Sequence, residues 1–161
     1  MFKTARFYSP TMGRLTFEQV VDEIVRIMEE DPQTRYEIMV GSDSHSGPGE
    51  MDFVTAIIVH RVGKGGRYFW RRIRERNIYT LRQKIYREAL LSFEVAKALM
   101  DELEQRTLLD YNLEIHVDVG HTGRTRELID EVVGMIMASG FPVKTKPDSY
   151  AASCVADKHA S

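Results

Sequence analysis

A chain of 161 residues is the length of one ordinary domain, enough to bury a real core. With 43% apolar and 29% charged residues it has a globular profile, and its longest apolar run, near AIIV at 56–59, is far too short to cross a bilayer. The formal net charge of −2 provides no overall field to draw in a polyanion, and one cysteine, Cys154, allows neither an intrachain disulfide nor a cysteine-only metal site. No long apolar segment follows Lys3 and Arg6, so secretion is not expected and the cytoplasm is the expected location.

Residues 1–14 lack periodicity and read as an irregular arm. TFEQVVDEIVRIMEE, 16–30, predicts a helix capped by Thr16, with Phe17, Val20, Val21, Ile24, Val25 and Met28 in one apolar stripe. Asp31-Pro32 ends it, because the residue before a proline resists helical backbone angles. Strands are expected at 36–43, 52–61 and 67–73. The last two flank VGKGG, whose glycines read as a hairpin turn, so the three form an antiparallel meander.

A long helix follows at about 80–106, carrying Leu81, Ile85, Ala89, Ala96, Leu99 and Leu103. YNLEIHVDV, 111–119, is a fourth strand, and GHTG turns into a helix at about 123–139 that Gly140 ends. FPVKT, 141–145, is a short fifth strand, and the tail from Ser149 to Ala160 reads as one or two helical turns. The expected fold is α/β: a mixed five-stranded sheet, three strands in a meander and two parallel, flanked by helices. Residues 1–161 are expected to form one domain, with 1–32 an arm and an added helix.

Charge is concentrated between residues 61 and 87, where ten Lys and Arg residues are opposed only by Glu75. A solvated face, an interface in a homo-oligomer and a phosphate-binding surface all fit such a run; the last would position a polyanion's backbone without reading its sequence. Two strands end in an aspartate: YEIMVGSDS places Asp43 there and EIHVDVG places Asp118. Ligands gather at the carboxyl ends of strands in α/β sheets. Paired carboxylates repel unless a cation lies between them, and carboxylates with substrate phosphate suit Mg²⁺. Two such ions can hold the attacking water and leaving oxygen of phosphodiester cleavage. Glu88 and Glu94 on the long helix, and Asp157 in the tail, are further carboxylates. The six-residue spacing lets only one of the two glutamates point inward.

VGSDSH at 40–45, HVDVG with TRELIDEVVGMI at 116–136, GF at 140–141 and KPDSYAAS-VADKH at 146–159 resemble the YkuK family, within the ribonuclease H-like superfamily. The resemblance runs from about residue 9 to the end, and the KPDSYAAS-VADKH tail is its most specific part. It implies an Asp on the first strand, a Glu in the first large helix, an Asp ending the fourth strand and an Asp near the last helix. These fall on Asp43, Glu88, Asp118 and Asp157, which would act as catalytic metal ligands for Mg²⁺ or Mn²⁺. Asp148 competes with Asp157 as the fourth ligand, although it is also placed to cap whatever Ser149 begins.

The activity implied is hydrolysis of a phosphodiester, in RNA, an RNA–DNA hybrid or structured DNA, leaving a 5′-phosphate and a 3′-hydroxyl. Arg67, Arg71, Arg72, Arg74 and Lys84 would hold the nucleic-acid backbone. Arg124 would join them where GHTGR opens a helix and its free N–H groups face phosphate. The alternative is a non-catalytic nucleic-acid-binding or oligomeric assembly protein of the same fold. His45 and His121 lie just past the strand-ending aspartates, where histidine can shuttle a proton or bind a softer metal. His159 lies two residues past Asp157 and either orients a leaving group or belongs to a frayed terminus. Tyr68, Phe69 and Trp70 beside the arginines suit base stacking, although strand alternation also sends some of them into the core.

Overall fold

The computed structural model describes residues 5–47, 49–117, 126–146 and 148. In chain order the elements are β1 (Arg6–Ser9), β2 (Gly13–Thr16), α1 (Phe17–Glu30), β3 (Tyr36–Gly47), β4 (Glu50–Arg61) and β5 (Gly65–Arg76). They continue with α2 (Leu81–Arg106), β6 (Asn112–Val117), α3 (Arg126–Ala138) and β7 (Val143–Lys144). The sheet has seven strands in the order β2-β1-β5-β4-β3-β6-β7. Its last five members are the expected strands: β3, β4 and β5 pair antiparallel, while β6 and β7 add in parallel.

The expectation of five strands is therefore corrected to seven. The stretch read as an irregular arm folds into a hairpin whose β1 joins the β5 edge. Ser9 Oγ accepts from the Thr11 and Met12 N–H groups to tighten the turn, and Gly13 leaves it at a φ of 71°. Phe7 and Leu15 face each other across the hairpin and enter the core.

Thr16 and Gln19 form a reciprocal capping box at the start of α1, with bonds of 3.1 and 2.8 Å, and Thr80 and Gln83 do the same for α2. Beyond α1 the Tyr36 hydroxyl donates to the carbonyls of Ile27 and Asp31, tying the helix exit to the start of β3. Glycine matters most at the β4–β5 hairpin. A Cβ on Gly66 would stand 2.8 Å from the Val59 carbonyl oxygen, so the strands approach too closely there for any side chain.

Helix α2 packs on β3, β6 and β4. Helix α1 lies against α2 and the N-terminal hairpin, and α3 lies against α2 and β7. The three described helices thus form one layer. One continuous core runs through it, from Phe7 and Val20 through Ile38, Ile57, Leu99 and Ile115 to Ile136 and Phe141. None of the described helices is long and apolar enough to cross a membrane.

Side chains alternate between sheet faces with a period of two. Ile38, Val40, Ser42 and Ser44 of β3 therefore face α2, while Met39, Gly41 and Asp43 belong to the opposite face. Cross-strand register extends that face through Val54 and Ala56 to Trp70 and Arg72.

Candidate functional site

Strand β3 lies between β4 and β6, but the described ladder to β6 ends at Ser42; Asp43 does not end the strand as expected, because pairing with β4 carries it on to Gly47. Ser42 is nearly inaccessible, and its hydroxyl meets Thr55 Oγ1 at 2.8 Å on β4 and Ser92 Oγ at 2.7 Å on α2. This three-hydroxyl cluster fastens α2 to the strand immediately before Asp43.

Ser44 touches both candidate carboxylates described on this strand and helix. Its backbone N–H donates to Asp43 Oδ1 at 2.8 Å, and its hydroxyl donates to Glu88 Oε2 at 3.2 Å. Asp43 and Glu88 consequently approach neighbouring residues of one strand, Asp43 from the face opposite α2 and Glu88 from α2 itself. A small void of about 10 Å³ lies between Glu88, Ser42, Ser92 and Val117.

Glu94 takes a different position. It acts electrostatically on Arg71 and Arg87, opposing the effect of burial on Arg71. Of Glu88 and Glu94, Glu88 is the one bonded to β3.

Register places Ser42 opposite Val117 at the end of the described β3–β6 ladder. Asp118 follows Val117, and it lies outside the described residues, as do His121, Arg124, Asp157 and His159. Asp148 is described: it is exposed, and its N–H donates to the Thr145 carbonyl at 2.8 Å. His45 is half-buried and stands opposite Asp52 on β4. His116 is buried on β6, with Nε2 2.8 Å from Glu114 Oε1. Among the described residues, no group of three His, Cys, Asp or Glu side chains is placed to hold a metal ion.

The arginine run looks different once folded. Arg67 pairs with the buried Glu23 of α1 at 2.6 Å, and Arg74 pairs with Asp52 at 2.9 Å and Glu50 at 3.4 Å. Arg76 reaches Glu50, and Arg87 binds Glu75. The bond to Arg74 holds the Asp52 carboxyl below its usual range, and Arg26 with Arg67 does the same to Glu23. Arg71 is buried, its guanidinium 5.8 Å from the centre of the Phe7 ring, and burial pushes its pKa down. Arg72 is exposed and Lys84 half-buried in the first turn of α2.

Sequence patterning did not single out Ser42, Thr55 and Ser92 as a unit, or Tyr8 and Arg6 as neighbours of Trp70. Tyr8 stacks on Trp70 with ring centres 4.8 Å apart and planes at 29°.

Comparison with known proteins bears on this arrangement. The family described as Ribonuclease H-like matches residues 19–161. The uncharacterized protein YkuK of Bacillus subtilis (strain 168) is 32% identical over 166 aligned positions, covering 94% of this chain and 95% of that protein. No solved structure matches.

Proposed function

Because the chain belongs to the YkuK family of ribonuclease H-like proteins, we propose that it is a divalent-metal-dependent nuclease hydrolysing phosphodiester bonds in nucleic acid. The observation that carries the reading is the double role of Ser44. It bonds through its backbone to Asp43 and through its hydroxyl to Glu88, so the two carboxylates reach adjoining residues of a central strand, Glu88 from the α2 side and Asp43 from the other face.

The donor set fits the metal class. Asp43 and Glu88 offer hard carboxylate oxygens, which suit Mg²⁺ or Mn²⁺. Asp118 and Asp157 complete the set in this reading. When bound, divalent ions would supply charge stabilisation to the attacking and leaving oxygens. The chain's own contribution is rigidity: the Ser42–Thr55–Ser92 cluster and Ser44 restrict the strand and helix that carry the carboxylates.

A second reading, a non-catalytic nucleic-acid-binding or assembly protein, draws on the ion pairs of β5. Arg67, Arg74, Arg76 and Arg87 each face a carboxylate of the same chain. Cleavage assays separate the two. The nuclease reading expects Mg²⁺- or Mn²⁺-dependent cuts in RNA, an RNA–DNA hybrid or branched DNA, abolished in Asp43→Asn and Asp118→Asn variants that keep the fold. Undiminished cleavage by Asp118→Asn would sink the site assignment.

A further inference from the structure

Among the described histidines only His116 is buried, its side chain 2% exposed. Its Nε2 lies 2.8 Å from Glu114 Oε1, an oxygen that Lys144 Nζ also reaches at 3.4 Å. Its Nδ1 is buried too and has no hydrogen-bond partner. An ionised carboxylate only accepts, so the neutral imidazole carries its proton on Nε2 and leaves a bare lone pair on Nδ1. A buried acceptor without a donor is rare in a folded chain, and a bound ion is one of the groups that satisfies it.

Placement relates this nitrogen to Asp43. Leu113, Ile115 and Val117 of β6 enter the core beneath the helices, so Glu114 and His116 belong to the other face. His116 stands opposite Gly41 in the parallel ladder, and Gly41 has no side chain to intervene. Asp43 is two residues further along β3 on that same face. One strand spacing across and two residues along put the Cα atoms of His116 and Asp43 roughly 8 Å apart. An imidazole and a carboxylate can close that distance on one ion. Direction agrees, because the two nitrogens of an imidazole point away from one another. Glu114, which holds Nε2, lies behind His116 along the sheet, and Asp43 lies ahead of it.

We propose that His116 Nδ1 is a ligand of the divalent ion that Asp43 binds, with Glu114 orienting the ring. Metal-bound histidines commonly have their other ring nitrogen held by a carboxylate in this way. The proposal rests on the metal centre of the nuclease reading, whose carboxylates supply the remaining oxygens, and it adds a consequence for the metal. Mg²⁺ is held through oxygen, whereas imidazole nitrogen suits first-row transition ions. Mn²⁺, which accepts both, is therefore favoured over Mg²⁺.

Pulsed EPR of Mn²⁺ bound to the full chain tests this without reference to catalysis. An imidazole nitrogen bonded to the ion should give nitrogen modulation of the electron spin echo, and ¹⁵N labelling of histidine alone, which needs no variant, should change it. The modulation should vanish in His116→Gln and persist in His45→Gln. Calorimetry should find Mn²⁺ affinity about tenfold weaker in His116→Gln and in Glu114→Gln, with Mg²⁺ affinity changed by less than about twofold.

Bound Mn²⁺ without histidine modulation, or modulation that survives in folded His116→Gln, would overturn the proposal and leave a carboxylate centre standing. Modulation undiminished in folded Asp43→Asn would overturn it as well, since the two residues would then serve different ions. No binding of Mn²⁺ by the wild type would remove both the ligand and the centre. Histidine modulation without cleavage of any nucleic acid would instead remove the nuclease reading and keep the ligand.

Discussion

The hydroxyl cluster beneath the candidate site yields a prediction about coupling. Ser42, Thr55 and Ser92 are 4%, 2% and 1% exposed, and Ser42 bonds to both others. Ser92→Ala or Thr55→Val alone leaves Ser42 one partner, so each should cost about 1 kcal/mol, the net value of one hydrogen bond. In a protein of this size each should lower Tm by roughly 2–4 °C. The double variant strands the Ser42 hydroxyl in the core, adding about 1–2 kcal/mol beyond the sum. Adding Ser42→Ala removes the orphan and should restore about 1 kcal/mol. Urea unfolding of the wild type and these variants supplies the cycle. Additivity within about 0.5 kcal/mol, or further loss on adding Ser42→Ala, would refute the claim that the three hydroxyls act as one unit.

Other outcomes follow from single contacts. Glu23 is held below its usual pKa chiefly by Arg26, with Arg67 adding to it, so its stabilisation is complete above the unfolded-state value and fades as pH falls through the folded one. The urea midpoints of wild type and Glu23→Gln should therefore differ at pH 7 and converge in acid below about pH 4; a pH-independent gap would contradict this. Gly66→Ala should destabilise by about 1–3 kcal/mol, because its Cβ would meet the Val59 carbonyl oxygen at 2.8 Å. Gly134→Ala, with open space around its Cβ inside α3, should instead stabilise by roughly 0.5–1 kcal/mol. Thermal melts of the two alanine variants would read the opposite signs.

Much of this fold was legible because long elements declare themselves by periodicity. The stripe from Phe17 to Met28 marked α1, and the paired runs around VGKGG marked β4 and β5. The N-terminal hairpin was not legible. Each of its strands spans four residues, too few for an alternation to stand out, and its anchors Phe7 and Leu15 gain meaning only from the edge of β5.

The site divides in the same way. Asp43 was conspicuous as a carboxylate near the end of an apolar strand, and the six-residue spacing of Glu88 and Glu94 set the two apart on α2, where Glu88 bonds Ser44. The serines were silent, since Ser42 and Ser92 are fifty residues apart and nothing local links them. The arginine run misled in a specific way. Its neutralising partners, Glu23, Glu50 and Asp52, come from α1 and β4, so linear charge overstated the field that β5 presents.

Calorimetric titration of the full chain with Mn²⁺ and Mg²⁺, beside Asp43→Asn and Glu88→Gln, probes the proposed metal centre directly. The wild type should bind saturably, and both substitutions should weaken binding severely while the thermal unfolding transition is retained. No binding by the wild type, or equal binding by folded Asp43→Asn, would contradict a metal centre built on β3.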